Sequence, residues 1–380
     1  MNSETSILID ARYIQDHFPG IGRYTYHLIE ALSRIAPEET FTALYNPALP
    51  NTRYDIATLA RCPNVLLKQV DVPTMSLSEQ FRLPMRNARL FHSPYFVTPY
   101  FVRVPEVLTL FDLIPLRFPS DVPSRRARFL FRVAVSLAAR TAARIIAPSE
   151  ATHHDLVDLL HVPSAKISVV PLAAGARFAP QPKLEIERLR NKYSLPTRYV
   201  LHVGINKPHK NLQTLLRAWA QLDAPDVTLV IAGAWDKRYG IEQGATEPAG
   251  EQEGSGRVKW IHDVWEGDLP RLYAGATAFV MPSLYEGFGL PVLEAMACGV
   301  PVVASNASSL PDVVGDAGLL FPPTDADALS SQLARLLQDA ACRDDLRGKS
   351  LARAAQFSWD RTARDTLAVY ERVRREAGDK

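Results

Sequence analysis

The chain has 380 residues, 47% apolar and 22% charged, with a formal net charge of +2. That length exceeds what one hydrophobic core sustains, so two domains are expected. So slight a charge excludes a strong whole-protein field for nucleic acid, and no apolar run reaches the ~18 residues of a membrane span.

No basic stretch precedes Ile7-Leu-Ile9, which argues against a secretory leader. Cys62, Cys298 and Cys342 are too scattered for a metal site or a disulfide framework, so a reducing cytoplasm is the default compartment. The sequon Asn306-Ala-Ser308 is then a chance match.

Short β-rich runs alternate with helical patterns along the chain, which predicts parallel sheets joined by crossover helices. The first half offers strands at 7–10, 41–45, 65–70, 106–111, 144–147 and 167–170. After the first of these, Gly20-Ile-Gly-Arg-Tyr24 leads into a helical run at 26–32. It looks like a dinucleotide fingerprint, but Thr25 stands where the third glycine belongs, and no acidic residue clearly ends the next strand. His92, in Phe91-His-Ser-Pro-Tyr95, sits at another strand end, as a packed histidine or an acceptor contact. Phe111-Asp-Leu-Ile-Pro115 ends a strand, where Asp112 either caps the turn or accepts from a substrate hydroxyl. Arg125, Arg126, Arg128 and Arg132 stud a helix with Phe129, Leu130, Phe131, Val133 and Val135. Such a basic amphipathic helix either lies on anionic lipid or holds solvated arginines beside a buried face, the commoner arrangement.

Residues 171–193, rich in Ala, Pro and charge, read as the crossing between domains. The pattern restarts with strands at 198–203, 227–232, 258–261, 277–281 and 300–304. Between the first two, Gly204-Ile-Asn-Lys-Pro-His-Lys-Asn211 follows a strand and opens a helix. Lys210 is thereby placed where its ammonium and the helix N–H groups can share one diphosphate. Residues 236–256 are dominated by Gly, Glu and Gln and read as a long exposed, mobile loop.

The stretch from Pro282 to Pro301 is the most informative. Glu286 and Glu294 stand eight residues apart around a Gly-Phe-Gly loop that feeds an apolar helix. Gly287 and Gly289 permit close backbone approach, and Pro291 suits the first helical position. A helix N-terminus on a glycine loop is an anion site, and two carboxylates beside it can accept hydroxyl hydrogen bonds. Tyr285 and Phe288 pack either on a sugar or in the core. Asp325-Ala-Asp327 spells a D-x-D, but it opens a helix and reads as a cap. His153-His154 lacks partners, so no metal site is expected. A last helix runs over about 359–375.

These residues resemble the retaining glycosyltransferases of family 4. Residues 277–322 match that family almost residue for residue, and Gly20-Ile-Gly-Arg-Tyr24, Phe91-His-Ser-Pro-Tyr95 and Pro208-His-Lys-Asn211 extend the likeness over the whole chain. It implies an α/β GT-B fold of two Rossmann-like, doubly wound domains facing a deep interdomain cleft. The N-terminal, acceptor-binding domain would span 1–172 and the C-terminal, donor-binding domain 173–359. The last helix, about 360–380, would pack back on the first.

The resemblance also implies roles. Glu286 would meet the transferred sugar, Glu294 the ribose, and Lys210 the leaving diphosphate, with Glu286, Lys210 and Asp112 as the catalytic set. Gly22, Lys207, Gly287, Phe288, Gly289, Leu290 and Glu294 would bind the donor, and Arg23 and His92 the acceptor. The chain departs from the pattern twice. Ile205 stands where many members carry arginine, leaving Lys207 or His209 to supply that charge. Phe111 replaces a histidine that touches the sugar.

The implied activity is retaining, metal-independent transfer of a hexose, mannose from GDP-mannose first, to a glycan or lipid-linked glycan in polysaccharide or lipopolysaccharide biosynthesis. A UDP-sugar or a GDP-deoxyhexose is the alternative donor. A phosphorylase, an epimerase or a non-catalytic nucleotide-sugar-binding partner is the alternative class. No cofactor beyond the nucleotide-sugar co-substrate and no nucleic acid partner are expected. The expected location is cytoplasmic, with peripheral contact at the inner membrane surface.

Overall fold

The computed structural model describes residues 6–85, 88–122, 124–239 and 258–378. Most of the loop expected at 236–256 lies outside them. The described chain divides into two compact units, Met1–Leu172 with Ser358–Lys380, and Ala173–Phe357.

The first unit is built on a seven-stranded parallel sheet. Its strands are β1 (Ser6–Asp10), β2 (Phe41–Tyr45), β3 (Val65–Gln69), β4 (Ala88–Ser93), β5 (Glu106–Thr109), β6 (Arg144–Ala147) and β7 (Ile167–Val169). Their order is β3-β2-β1-β4-β5-β6-β7, and all neighbours are parallel. The central strands are apolar runs rather than alternations because both sheet faces are covered. Helices α1 (Pro19–Ile35), α2 (Glu79–Arg82), α3 (Ile114–Arg117), α4 (Arg125–Thr141) and α5 (Glu150–Leu160) follow in turn. Serine hydroxyls cap two of them: Ser124 takes the Ala127 N–H at 3.1 Å and Ser149 the Thr152 N–H at 3.2 Å. α5 ends at His161 in the left-handed region, φ 55°.

The second unit carries β8 (Tyr199–Val203), β9 (Thr228–Ala232), β10 (Val258–Ile261), β11 (Ala278–Met281), β12 (Val302–Ser305) and β13 (Leu319–Phe321), in the order β10-β9-β8-β11-β12-β13. Its helices are α6 (Lys183–Tyr193), α7 (Leu212–Ala220), α8 (Leu269–Ala274), α9 (Leu290–Ala297), α10 (Leu310–Val314), α11 (Ala326–Gln338) and α12 (Ala340–Ala354). Leu215 of α7 and Leu329, Leu333 and Leu336 of α11 are fully buried in one cluster with the sheet. Each such leucine stabilises by about 1.5–3 kcal/mol.

The final helix, α13 (Trp359–Gly378), belongs to the first unit and packs along α1. Trp359 stacks on His27, ring centroids 5.3 Å apart, and the Thr362 hydroxyl donates to the Pro171 carbonyl at 2.7 Å.

Three local expectations change. Residues 183–193 are not linker but α6, packed against α8 in the second unit, so the crossing is shorter. β5 stops at Thr109, leaving Phe111 and Asp112 in the loop beyond it. Gly20 to Tyr24 lie within α1, which opens at Pro19, rather than in a loop before it.

Candidate functional site

In the second unit the strand order reverses between β8 and β11. This is the switch point at which open parallel sheets receive ligands, beyond the carboxyl ends of the strands. Three loops meet there.

The first loop leaves β8 at Val203-Gly204 and closes through a 3-10 turn, Pro208–Lys210, before α7. Asn211 joins turn to helix in the left-handed region, φ 56°, a conformation its short polar side chain tolerates. Its amide donates to the carbonyls of Pro282 (2.9 Å) and Pro323 (2.6 Å), so it ties this turn to the loops after β11 and β13. The Leu284 N–H donates to the His209 carbonyl at 2.8 Å. Lys210 therefore leaves a backbone held from three sides. It is not at the helix N-terminus proper, as expected, but in the turn before it.

Lys210 Nζ reaches both oxygens of Glu286, at 2.7 and 3.0 Å, and the Ser283 hydroxyl donates to the same carboxylate at 2.6 Å. The third loop, after β12, fixes the backbone. Ser308 Oγ accepts the Glu286 N–H at 2.8 Å, and Ser309 Oγ lies 2.9 and 2.8 Å from the carbonyls of Glu286 and Phe288. Burial pushes the Glu286 carboxyl up. Lys210 first, then His209 and the hydrogen bonds from Lys210 and Ser283, outweigh it and hold it below the usual carboxylate range. A buried carboxylate kept charged by a neighbouring ammonium is an arrangement for binding hydroxyls or for holding a cation in place.

Gly289 caps α9 at φ 101°, where a Cβ would stand 2.8 Å from Leu310 Cδ2. α9 begins at Leu290, so Pro291 is its second residue. Gly287 and Phe288 are buried, and Phe288 meets Phe357 edge-on with centroids 6.0 Å apart. Glu294, one turn into α9, is buried and accepts from the Tyr273 hydroxyl at 3.0 Å, so it is no solvated helix position. Lys207 stands, partly exposed, at the start of the 3-10 turn.

Two groups the sequence reading missed complete the floor. The Asn206 amide donates to the carbonyls of Asp236 (3.0 Å) and Tyr239 (2.7 Å), clasping the loop after β9. His202 is fully buried, with Nδ1 3.1 Å from the Val280 carbonyl. A carbonyl can only accept, so Nδ1 carries the proton and Nε2 presents a lone pair. Burial pushes this imidazole down to about 4. Nothing in the spacing of Tyr199-Val-Leu-His-Val203 distinguishes it from an ordinary strand residue.

In the first unit the expected residues scatter. His92 is fully buried, with Nδ1 2.5 Å from Tyr370 Oη and Nε2 2.8 Å from Thr109 Oγ1, and burial lowers it to about 3. It is the packed histidine of the two readings, because both ring nitrogens are spent inside the core. Asp112 accepts the Ile114 N–H at 3.0 Å, in the capping arrangement. The space that Gly22 leaves is used within the fold: a Cβ there would stand 3.0 Å from the Tyr13 carbonyl oxygen. Arg23 is buried on α1.

At the first sheet's own switch point Arg12 bonds Asp10 (2.6 and 2.8 Å) and Glu79 (3.0 Å), all buried. One guanidinium serves two carboxylates, and burial still raises Glu79 to about 7.

For metals, Asp325 caps α11 by accepting the Ala328 N–H at 2.8 Å. His153 and His154 do have a partner, contrary to expectation. Glu150 joins them with ligand atoms within 4.8 Å of one another, on the surface of α5.

Comparison with known proteins bears on the family and the fold. The model of Glycosyltransferase Family 4 matches residues 19–173, and that of Glycosyl transferases group 1 matches 185–353. O-antigen chain mannosyltransferase B of Escherichia coli is 33% identical over 377 residues, covering 93% of this chain and 96% of that protein. The serotype-specific mannosyltransferase WbdA of Escherichia coli is 31% identical over 276 residues, covering 69% of this chain and 33% of that longer protein. Among solved structures, sucrose-phosphate synthase from Thermosynechococcus elongatus superposes with a TM-score of 0.71 at 22% identity, covering 97% of this chain and 99% of that one. HepE of Anabaena, solved in complex with UDP-glucose, gives 0.70 at 20% identity, with coverage of 97% and 99%. The chain belongs to the family 4 glycosyltransferases and is built from two α/β units of the GT-B fold.

Proposed function

We propose that this chain is a hexosyltransferase that moves mannose from GDP-mannose, with retention, to a glycan or lipid-linked glycan during surface polysaccharide assembly. The mannosyltransferase that it matches end to end supports the sugar and the process. The chemistry rests on one observation, the Lys210–Glu286 contact beside the opening of α9.

In this reading the nucleotide diphosphate lies between the Lys210 ammonium and the opening of α9, where the positive end of the helix dipole favours an anion, although Pro291 has no N–H and those of Val292 and Leu293 already donate to the Gly289 carbonyl. Lysine offers three N–H donors, and two directions serve Glu286, so one remains for a phosphate oxygen. Glu286, charged at neutral pH, accepts from sugar hydroxyls, and Glu294 turns toward the ribose. As the glycosidic bond to phosphate lengthens, negative charge grows on the leaving oxygen, and Lys210 and the helix opening stabilise it. The departing phosphate takes the acceptor proton on the same face. A fixed ammonium and a helix N-terminus supply the neutralisation that a divalent ion gives elsewhere, so the reaction needs no metal. Its place is the cytoplasmic face of the inner membrane, where a lipid-linked acceptor would be met.

The test is donor turnover by the purified chain with GDP-mannose, UDP-glucose and a GDP-deoxyhexose offered separately. The expected result is GDP release from GDP-mannose together with an α-mannosyl product by NMR. Turnover of a UDP-sugar alone, or a β-linked product, would overturn the assignment.

A further inference from the structure

We propose that the first unit docks on an anionic lipid bilayer through the outward face of α4 and the adjoining α2 and loop 98–103. A lipid-linked acceptor, as proposed above, would give this docking its purpose, but the surface is argued from its own residues.

α4 carries arginine at 125, 126, 128, 132 and 140 and no acidic residue. Its inward side is small: Val135, Ala138 and Ala139 are the buried positions. At 100° per residue, Arg126, Phe129, Leu130, Val133, Leu137 and Arg140 share the opposite side. Phe129 and Leu130 are 66% and 65% exposed. An ordinary surface helix turns its apolar stripe inward and its charges outward. Here large apolar side chains point away from the core, flanked by arginines.

The surface continues beyond α4. Phe131 of α4 packs edge-on against Phe96, centroids 4.8 Å apart. From that loop, the Thr98 carbonyl accepts from the Gln80 amide at 2.8 Å, and the Tyr100 N–H donates to Gln80 Oε1 at 3.0 Å. α2 and the loop are thereby held together, and they present Leu77, Phe81 and Phe101, exposed by 87%, 90% and 84%, beside exposed Arg82 and Arg103. The acids of this region face inward: Glu79 is spent on Arg12, and Glu106 and Asp121 are buried.

Protruding apolar side chains among unopposed guanidinium groups fit the boundary between lipid headgroups and acyl chains. A second copy of the chain fits less well, because a two-fold contact would set arginines against arginines. None of the described helices is long and apolar enough to cross a membrane, so the contact is peripheral.

The experiment is co-sedimentation of the full chain with phosphatidylglycerol-containing vesicles and with pure phosphatidylcholine vesicles. The wild type should bind the anionic vesicles roughly tenfold better. Phe129→Ser with Leu130→Ser, and separately Arg126→Gln with Arg140→Gln, should each weaken that binding about tenfold or more, with melting temperatures near the wild-type value. Acceptor-independent GDP release from GDP-mannose should be unchanged in both pairs. Absent release in the wild type would sink the donor assignment and leave the vesicle result to stand alone. The docking proposal is overturned if the wild type stays in the supernatant, or if both pairs bind as the wild type does. It is equally overturned if the substitutions only turn a dimer into a monomer.

Discussion

Lys210 and Glu286, 76 residues apart in sequence, meet across the strand-order reversal with the ammonium bridging both carboxylate oxygens. Each charge is the other's compensation, and neither side chain is more than one-seventh exposed. Removing either one leaves the other in a poor environment as well as deleting its own contact.

Lys210→Ala and Glu286→Gln should therefore each lower sugar transfer about a hundredfold or more, near 3 kcal/mol. The double substitution should cost little beyond the worse single one, because the two act as a unit. Steady-state turnover of all three variants checks this, with circular dichroism as the control for folding.

Gly233 sits at φ 145°, and a Cβ there would stand 2.2 Å from the Gly204 carbonyl oxygen. Backbone cannot retreat as a side chain can, so Gly233→Ala should destabilise by about 3 kcal/mol or more. Gly348, inside α12 with open space around it, is the counter-case. Gly348→Ala should stabilise by about 0.5–1 kcal/mol. Urea midpoints of the two variants should move in opposite directions.

The buried titratable groups give stability a signed pH dependence. His92 and His202 are held near 3 and 4 when folded, against 6.5 for an ordinary histidine. Between those values the unfolded chain binds more protons, so their contribution is full above about pH 6.5 and is lost as pH falls toward 4. Glu106 runs the other way. Burial pushes it up to about 8 from 4.5, so its contribution is full below about 4.5 and is lost as pH rises through 8. Glu106→Gln keeps the shape and removes that dependence. The variant should gain on the wild type by up to about 1.4 kcal/mol per pH unit between pH 5 and 8, read from urea melts across that range.

Tyr370→Phe removes the α13 hydroxyl from His92 Nδ1 and leaves a buried ring nitrogen without that partner. The expected cost is about 1–3 kcal/mol, with turnover per folded molecule unchanged. Denaturant melts paired with activity assays separate the two effects.

If a lysine and a helix opening neutralise the leaving diphosphate, transfer should persist in excess chelator. Loss of activity that added magnesium or manganese restores would refute the metal-free mechanism.

Much of the second unit was legible because its signals are local. Pro282 to Pro301 carries the glycine loop, the carboxylates and the helix start within one stretch, and the position of Lys210 between a strand and a helix follows from the run before it. The contact between Lys210 and Glu286 was not legible, since it depends on Asn211 bonding two distant loops. His202 and Asn206 escaped for the same reason: their work is defined by partners on other strands. In the first unit, position along the chain misled. His92 ends a strand as a ligand contact would, yet α13, nearly 280 residues later, supplies the hydroxyl that holds its Nδ1. β13 has only three residues and β4 is interrupted by Arg89, so neither shows a clear apolar run.

The return of the final helix to the first unit has a consequence for biosynthesis. The polypeptide leaves that unit at Leu172 and rejoins it at Ser358. A ribosome has thus released every residue of the second unit before it delivers Tyr370 to His92. The half that starts first is finished last, and until its closing segment emerges, Tyr24 and His92 wait without the aromatic lid that covers them. Nascent chains stalled short of Trp359 should accordingly hold a folded second half beside a protease-sensitive first one.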